Sequence, residues 1–235
     1  MRAAFGIAVA IAVVGGVAAE ELLGARPDPQ RIASGRAVAA GSGGQGQQGA
    51  CFSCHGFDGA GQQAALFPAL AGQSAEYLLL QLDRYASGAR RNEVMSPIAA
   101  AMTPEQRRDV SIYYATQPVR VPEPQPLGDV MLLQRGGMLS ASGGADIGVQ
   151  ACQNCHGPAG IGIAPIYPRL AGQPAGYLAA RLTAWRDGEA PAEGASHQAM
   201  AQIAKRLSDD DIKAVSLYFA SVRQAAASTG TGVLR

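Results

Sequence analysis

Two short stretches of this 235-residue chain hold almost all of its thiol and imidazole chemistry: Cys51-Phe52-Ser53-Cys54-His55 and Cys152-Gln153-Asn154-Cys155-His156. Between them they take all 4 cysteines and two of the 3 histidines, leaving only His197 outside. Cys-x-x-Cys-His places two thiols about one helical turn apart, with an imidazole directly after the second. Such thiols can add to the two vinyl groups of a haem while the imidazole reaches the iron from one side. On that reading no cysteine remains for a disulfide. A tetrahedral zinc site is the structural-metal alternative for one copy alone, and a thioredoxin-type redox pair is another. Two copies, each followed by the same downstream methionine and helices, favour covalent haem c at both. The redox pair needs a βαβ setting that neither motif has.

A second axial ligand is read from the internal repeat. Cys51 matches Cys152; Phe67-Pro68-Ala69-Leu70-Ala71-Gly72-Gln73 matches Tyr167-Pro168-Arg169-Leu170-Ala171-Gly172-Gln173; Tyr113-Tyr114 matches Tyr218-Phe219. The offset grows from 101 at the motif, through 100, to 105 at the end, because five extra residues lie between Gly188 and Met200. With that offset Met95 falls on Met200, and Met102 falls on Leu207. A position that is Leu in the other unit is a core position, so Met95 and Met200 are the expected ligands and Met102 is packing. A thioether suits an iron that works at high potential, since it stabilises the ferrous state better than imidazole does. The plainer alternative is that all three methionines fill the core.

A ligating imidazole also needs its other ring nitrogen held by an acceptor. The carbonyls of Pro68 and Pro168, 13 and 12 residues after His55 and His156, are the natural candidates. Tyr85 and Trp185 are expected to pack and to reach the haem propionates. His197 could replace Met200 in principle, but reads as a surface-loop histidine within the insertion.

Helices must position these groups. One is expected before each motif, near residues 30–40 and 128–137. A second follows each Gly-Gln turn, with Pro174 in a first-turn position and Gly88 or Gly188 as the stop. Its apolar face reads Leu78, Leu82, Tyr85 and Leu178, Leu182, Trp185, spaced i, i+4, i+7. A last helix opens at Thr103-Pro104-Glu105-Gln106, a capping box, and at Ser208-Asp209-Asp210-Asp211, where the acids suit the helix dipole. No strand pattern is convincing. The expected fold is mainly α, one helical unit used twice in tandem, preceded by an N-terminal signal or anchor helix.

Residues 3–19 are uncharged and largely apolar after Met1-Arg2, and Val17-Ala18-Ala19 fits a small-residue cleavage pattern. As a retained helix the run would reach about 25 Å, against roughly 30 Å of hydrocarbon core. Cleaved signal and retained membrane tether both stand, and both place the remainder outside the cytoplasm. The expected division is a leader over 1–25, domains over 26–121 and 129–223, a Pro-rich linker over 122–128 and a flexible tail over 224–235. Basic and acidic residues nearly balance at 19 and 18, with no basic run, which argues against nucleic acid as a partner.

The paired Cys-x-x-Cys-His-Gly motifs, the Phe/Tyr-Pro-x-Leu-Ala-Gly-Gln segments and the methionine followed by a capped last helix resemble cytochrome c4, a di-haem family. The resemblance implies two tandem class I cytochrome c domains related by a pseudo-twofold, carrying two His/Met haems with propionate edges near the interface between them. It also implies a periplasmic carrier between a quinol-oxidising (cytochrome bc-type) complex, the quinol-cytochrome c reductase, and a terminal oxidase. The alternative is a fixed di-haem subunit of a dehydrogenase, such as a flavocytochrome sulfide dehydrogenase, or of a respiratory complex. A di-haem peroxidase is disfavoured, because peroxide chemistry needs an open iron position and a distal acid–base group.

Overall fold

The computed structural model describes residues 27–42, 49–62, 66–119, 129–189 and 195–222. The expected leader, Pro-rich linker and tail lie outside the described residues. Among the described residues no helix is long and apolar enough to cross a membrane.

The first unit runs α1 (Pro29–Ala37), α2 (Cys51–His55), α3 (Ala75–Ser87), α4 (Met95–Ala101) and α5 (Pro104–Thr116). The second repeats it as α6 (Val130–Ala141), α7 (Gln153–His156), α8 (Ala175–Arg186), α9 (Ala195–Ala204) and α10 (Asp209–Ser221). A π-helical turn, Val38–Ser42, extends α1. Extended pairing among the described residues is limited to isolated bridges, Gln62 with Phe67, Gly144 with Val149 and Ile163 with Tyr167.

Helix starts follow their capping chemistry. Asp28 accepts from the Gln30 amide, Asp129 from Met131 and Leu132, and Ser74 from Tyr77; each satisfies an amide that the first turn leaves without a partner. The expected box forms at Thr103 with Gln106, and Ser208 with Asp211 closes a second one that was not expected. Helix α3 stops at Gly88, whose φ of 79° is the left-handed conformation that favours glycine. Pro174 stands at the N-cap of α8, one position earlier than expected. The short α4 and α9 were not expected as helices.

Each unit closes where its first helix crosses its last, α1 on α5 and α6 on α10. The crossings are tight because the contact residue is glycine. A Cβ on Gly35 would collide with the Asp109 carbonyl, and one on Gly136 with the Ala214 carbonyl. Helix α3 packs on α4 and α5, and α8 on α9 and α10. Behind them lie two cores, Val38, Leu78, Met102, Val110, Tyr113 and Tyr114 in one unit and Leu139, Val149, Leu207, Ile212 and Val215 in the other. Fully burying one such aliphatic side chain stabilises the fold by roughly 1.5–3 kcal/mol. Each motif is therefore held against a closed helical frame.

Candidate functional site

The residues that the sequence singles out meet at one place. A continuous cavity of about 400 Å³ runs between the units, and Cys51, Cys54, His55 and Met95 line it from one side, Cys152, Cys155, His156 and Met200 from the other. Its remaining wall is mostly apolar, with Leu78, Leu82 and Tyr85 from α3 and Leu178, Leu182 and Trp185 from α8.

Each motif folds as one short helical turn, which brings both thiols and the imidazole to the cavity. Both imidazoles are buried at 6% exposure. His55 Nδ1 lies 2.8 Å from the Pro68 carbonyl, and His156 Nδ1 lies 2.9 Å from that of Pro168. A carbonyl can only accept, so Nδ1 carries the proton and Nε2 is left with its lone pair. Burial lowers both imidazole pKa values and the proline carbonyl opposes it. The neutral form that a metal takes is therefore favoured.

The proline loops are fixed by turns. Leu70 and Ala71 amides both donate to the Gly59 carbonyl, and Leu170 and Ala171 to that of Gly160. Phe67 and Tyr167 wedge edge-on against the two imidazoles, with centroids 6.3 and 6.1 Å away. Burial pushes the Cys51 and Cys152 thiols up to about 11. A thiolate is disfavoured there, while an uncharged thioether carries no such penalty.

Met95 opens α4 and Met200 lies within α9, both half-buried. Asn92 accepts from the Val94 amide at 3.0 Å and from the Met95 amide at 2.8 Å, which fixes where α4 begins. Met102 and Leu207 are buried at 4% and 6% within the two cores. The repeat-matched methionines are thus more exposed than the Met102/Leu207 position, although all four touch the cavity wall.

Tyr85 and Trp185 do line the cavity. The Arg90 guanidinium caps the Tyr85 ring at 4.6 Å, and that of Arg181 caps Trp185 at 4.9 Å. His197 departs from its surface-loop expectation. It sits in α9, half-buried on the cavity wall, with Arg84 Nη1 of the other unit 3.1 Å from its Nδ1 and the Trp185 ring 6.2 Å away. Burial, then Arg84, Arg90 and Arg181, hold its pKa down to about 4.

Sequence reasoning missed Gln73, Gln173, Arg90, Arg181 and Asn92. The glutamines stand in the repeat as plain turn residues with nothing local to mark a partner, and the arginines fall at unmatched positions.

The cavity fits haem on its own evidence. Trp185 Nε1, Arg90 Nε and Gln81 Nε2 are buried donors with no hydrogen-bond partner, and all three residues line the cavity. No carboxylate is among the groups that shift Arg90 or Arg181. An apolar cavity with thiols and imidazoles at its walls and unanswered donors and cations at its seam suits a flat apolar group bearing carboxylates. Direct zinc ligation loses ground, since no three His, Cys, Asp or Glu of the described residues are grouped to hold an ion. Two helical units with one such motif each define a di-haem c-type cytochrome.

The comparisons narrow this further. The family model for cytochrome c matches residues 38–117 and 141–223. A thiosulfate dehydrogenase electron acceptor from Stutzerimonas stutzeri (strain A1501) is 42% identical over 176 residues, 74% of this chain and 80% of that protein. Cytochrome c4 of Pseudomonas aeruginosa is 37% identical over 188 residues, 79% of this chain and 90% of that protein. The crystal structure of reduced recombinant cytochrome c4 from Pseudomonas stutzeri superposes with a TM-score of 0.70 at 30% identity, covering 82% of this chain and 98% of that one. The chain belongs to the cytochrome c family, as a di-haem, cytochrome c4-like electron carrier rather than an enzyme. It carries two covalently bound haem c groups, one per unit, and works with redox protein partners.

Proposed function

We propose that His55 with Met95, and His156 with Met200, are the axial ligand pairs of the two haems, anchored through Cys51 and Cys54 and through Cys152 and Cys155. We further propose that the protein works in the periplasm, passing electrons from a quinol-oxidising complex to a terminal oxidase. The observation that carries this reading is the convergence of both Cys-Cys-His-Met sets on one cavity between the units. When bound, each haem supplies a one-electron iron couple.

The chain's own residues do the rest. His55 and His156 stay neutral through burial and are oriented by the Pro68 and Pro168 carbonyls. The apolar faces of α3 and α8 line the cavity and exclude water from the space that each haem would fill. Tyr85, Trp185 and Arg90 supply the seam that receives the propionates; the unpartnered Trp185 and Arg90 donors support that assignment.

One observation favours a second electron donor. The 42% identical relative is a thiosulfate dehydrogenase electron acceptor, which makes a thiosulfate dehydrogenase an alternative source. Stopped-flow mixing of the purified ferric protein separates the two. Reduction by quinol-oxidising membranes plus quinol, abolished by a bc-complex inhibitor, is the expected result. Reduction only by thiosulfate with a purified thiosulfate dehydrogenase would move the donor to the dehydrogenase. A high-spin ferric haem in the resting protein would sink the carrier reading altogether.

A further inference from the structure

The units are clasped by two glutamines, each reaching into the other unit's proline loop. Gln173 Oε1 accepts from the Ala69 amide at 3.0 Å, and its Nε2 donates to the Ala69 carbonyl at 2.8 Å. Gln73 Oε1 accepts from the Arg169 amide at 3.0 Å, and its Nε2 donates to the Arg169 carbonyl at 2.7 Å. Both glutamines are 5% exposed. The Ala69 N–H belongs to the same peptide group as the Pro68 carbonyl, which holds His55 Nδ1 at 2.8 Å. The Arg169 N–H belongs to the same peptide group as the Pro168 carbonyl, which holds His156 Nδ1 at 2.9 Å. Each imidazole is thus one peptide group away from a glutamine of the opposite unit.

We infer that Gln173 is a positioning residue for the haem of the first unit and Gln73 for the haem of the second, each tuning across the seam. The inference rests on His55 and His156 being the axial ligands. The physics is bond polarisation. A peptide whose N–H is already donated has a more negative carbonyl, and chained hydrogen bonds strengthen one another by about 10–30% per bond. A stronger acceptor on Nδ1–H makes the imidazole more electron-donating, which favours ferric iron. Withdrawing the glutamine therefore raises the reduction potential of the opposite unit's haem.

The test uses Gln173→Met and Gln73→Met in the full holoprotein, since methionine keeps the length of the side chain without its amide. Potentials are read haem by haem, by NMR-monitored redox titration with haem signals assigned through the two pairs of thioether cysteines. Q173M lowers the ferric-to-ferrous ratio of the first unit's haem at fixed potential by about two- to threefold. At 59 mV per tenfold for one electron, that is roughly 20–30 mV. The second unit's haem moves much less, and Q73M gives the mirror result. The His55 Nδ1–H resonance moves in Q173M but not in Q73M.

Shifts confined to the mutated unit, equal shifts in both haems, or no shift would each overturn the inference; equal shifts are what a merely loosened seam would give. Should a variant fail to fold, hydrogen exchange on the unmodified protein decides. The Ala69 and Arg169 amides are expected among the slowly exchanging ones, and rapid exchange there overturns the clasp. The ligand assignment fails separately, if the His55 and His156 ring signals of the unmodified ferric protein lack the large paramagnetic shifts of an iron-bound imidazole.

Discussion

Met95 and Met102 are seven residues apart, and both touch the cavity. What separates them is the partner unit, where the equivalents are Met200 and Leu207. Burial agrees, because Met102 sits within the core and Met95 lies half-buried at the start of α4. Met95→Ala should halve the red-region Met-to-ferric-iron charge-transfer band, and Met200→Ala should remove the other half. Met102→Leu should leave the band intact and cost less than about 1.5 kcal/mol in denaturant unfolding, as a volume-conserving swap. A band lost in M102L and kept in M95A would reverse the assignment. The thiols, imidazoles and proline acceptors were legible because their spacing is local and repeated. His197 was not, since its position depends on Arg84 and Trp185, which reach it from elsewhere in the fold.

At the level of helices, the box at Thr103, the helix start at Ser208 and the stop at Gly88 could be read from residue type alone. Helices α4 and α9 could not. The seven residues of α4 are too few to show a period, and α9 follows the insertion. Nor did the sequence reveal that Gly35 and Gly136 are crossing points, since the obstruction is the backbone of a helix far away in the chain. Gly35→Ala and Gly136→Ala should each destabilise by about 1–3 kcal/mol, because the Cβ meets a carbonyl that cannot rotate away; a change under about 0.5 kcal/mol in the unfolding midpoint series would show the crossing to be looser.

Asp211 joins two roles, closing the α10 capping box and pairing with Arg135 at 2.8 Å. Burial alone would raise its carboxyl; the Arg135 and Ser208 hydrogen bonds outweigh it and hold the pKa below the ordinary value. A carboxyl depressed in the folded state contributes stability above its unfolded value, about 3.9, and loses it as pH falls through the folded value. Asp211→Asn should therefore cost about 1–3 kcal/mol at pH 7 and flatten the acid limb of the stability curve. Thermal melts between pH 2 and 7 would show it, and an unchanged acid limb would assign that limb to other carboxylates.

Over the whole molecule the repeat was the most legible feature, and the seam between its copies the least. Pairing across the seam joins residues 96 and 104 apart in sequence, and no local pattern encodes it. Charge was legible and weak. Residues 26–121 carry nine basic and seven acidic side chains, and residues 122–235 nine of each, so the first part is +2 and the second neutral. Partner encounter should accordingly depend little on ionic strength. Second-order reduction rates should change by less than about tenfold between 0.05 and 0.5 M salt. A steep salt dependence would point to a charged patch that the net charge conceals.

The glutamine clasp bears on anyone who would treat this chain as two interchangeable parts. A half excised for use in another protein would keep its attachment cysteines, its histidine and its methionine. It would leave behind the side chain that answers its own proline loop, and would carry away one whose counterpart is gone. Such a transplant would still take up haem and look complete by its motif, yet its operating voltage would no longer be the one it had at home.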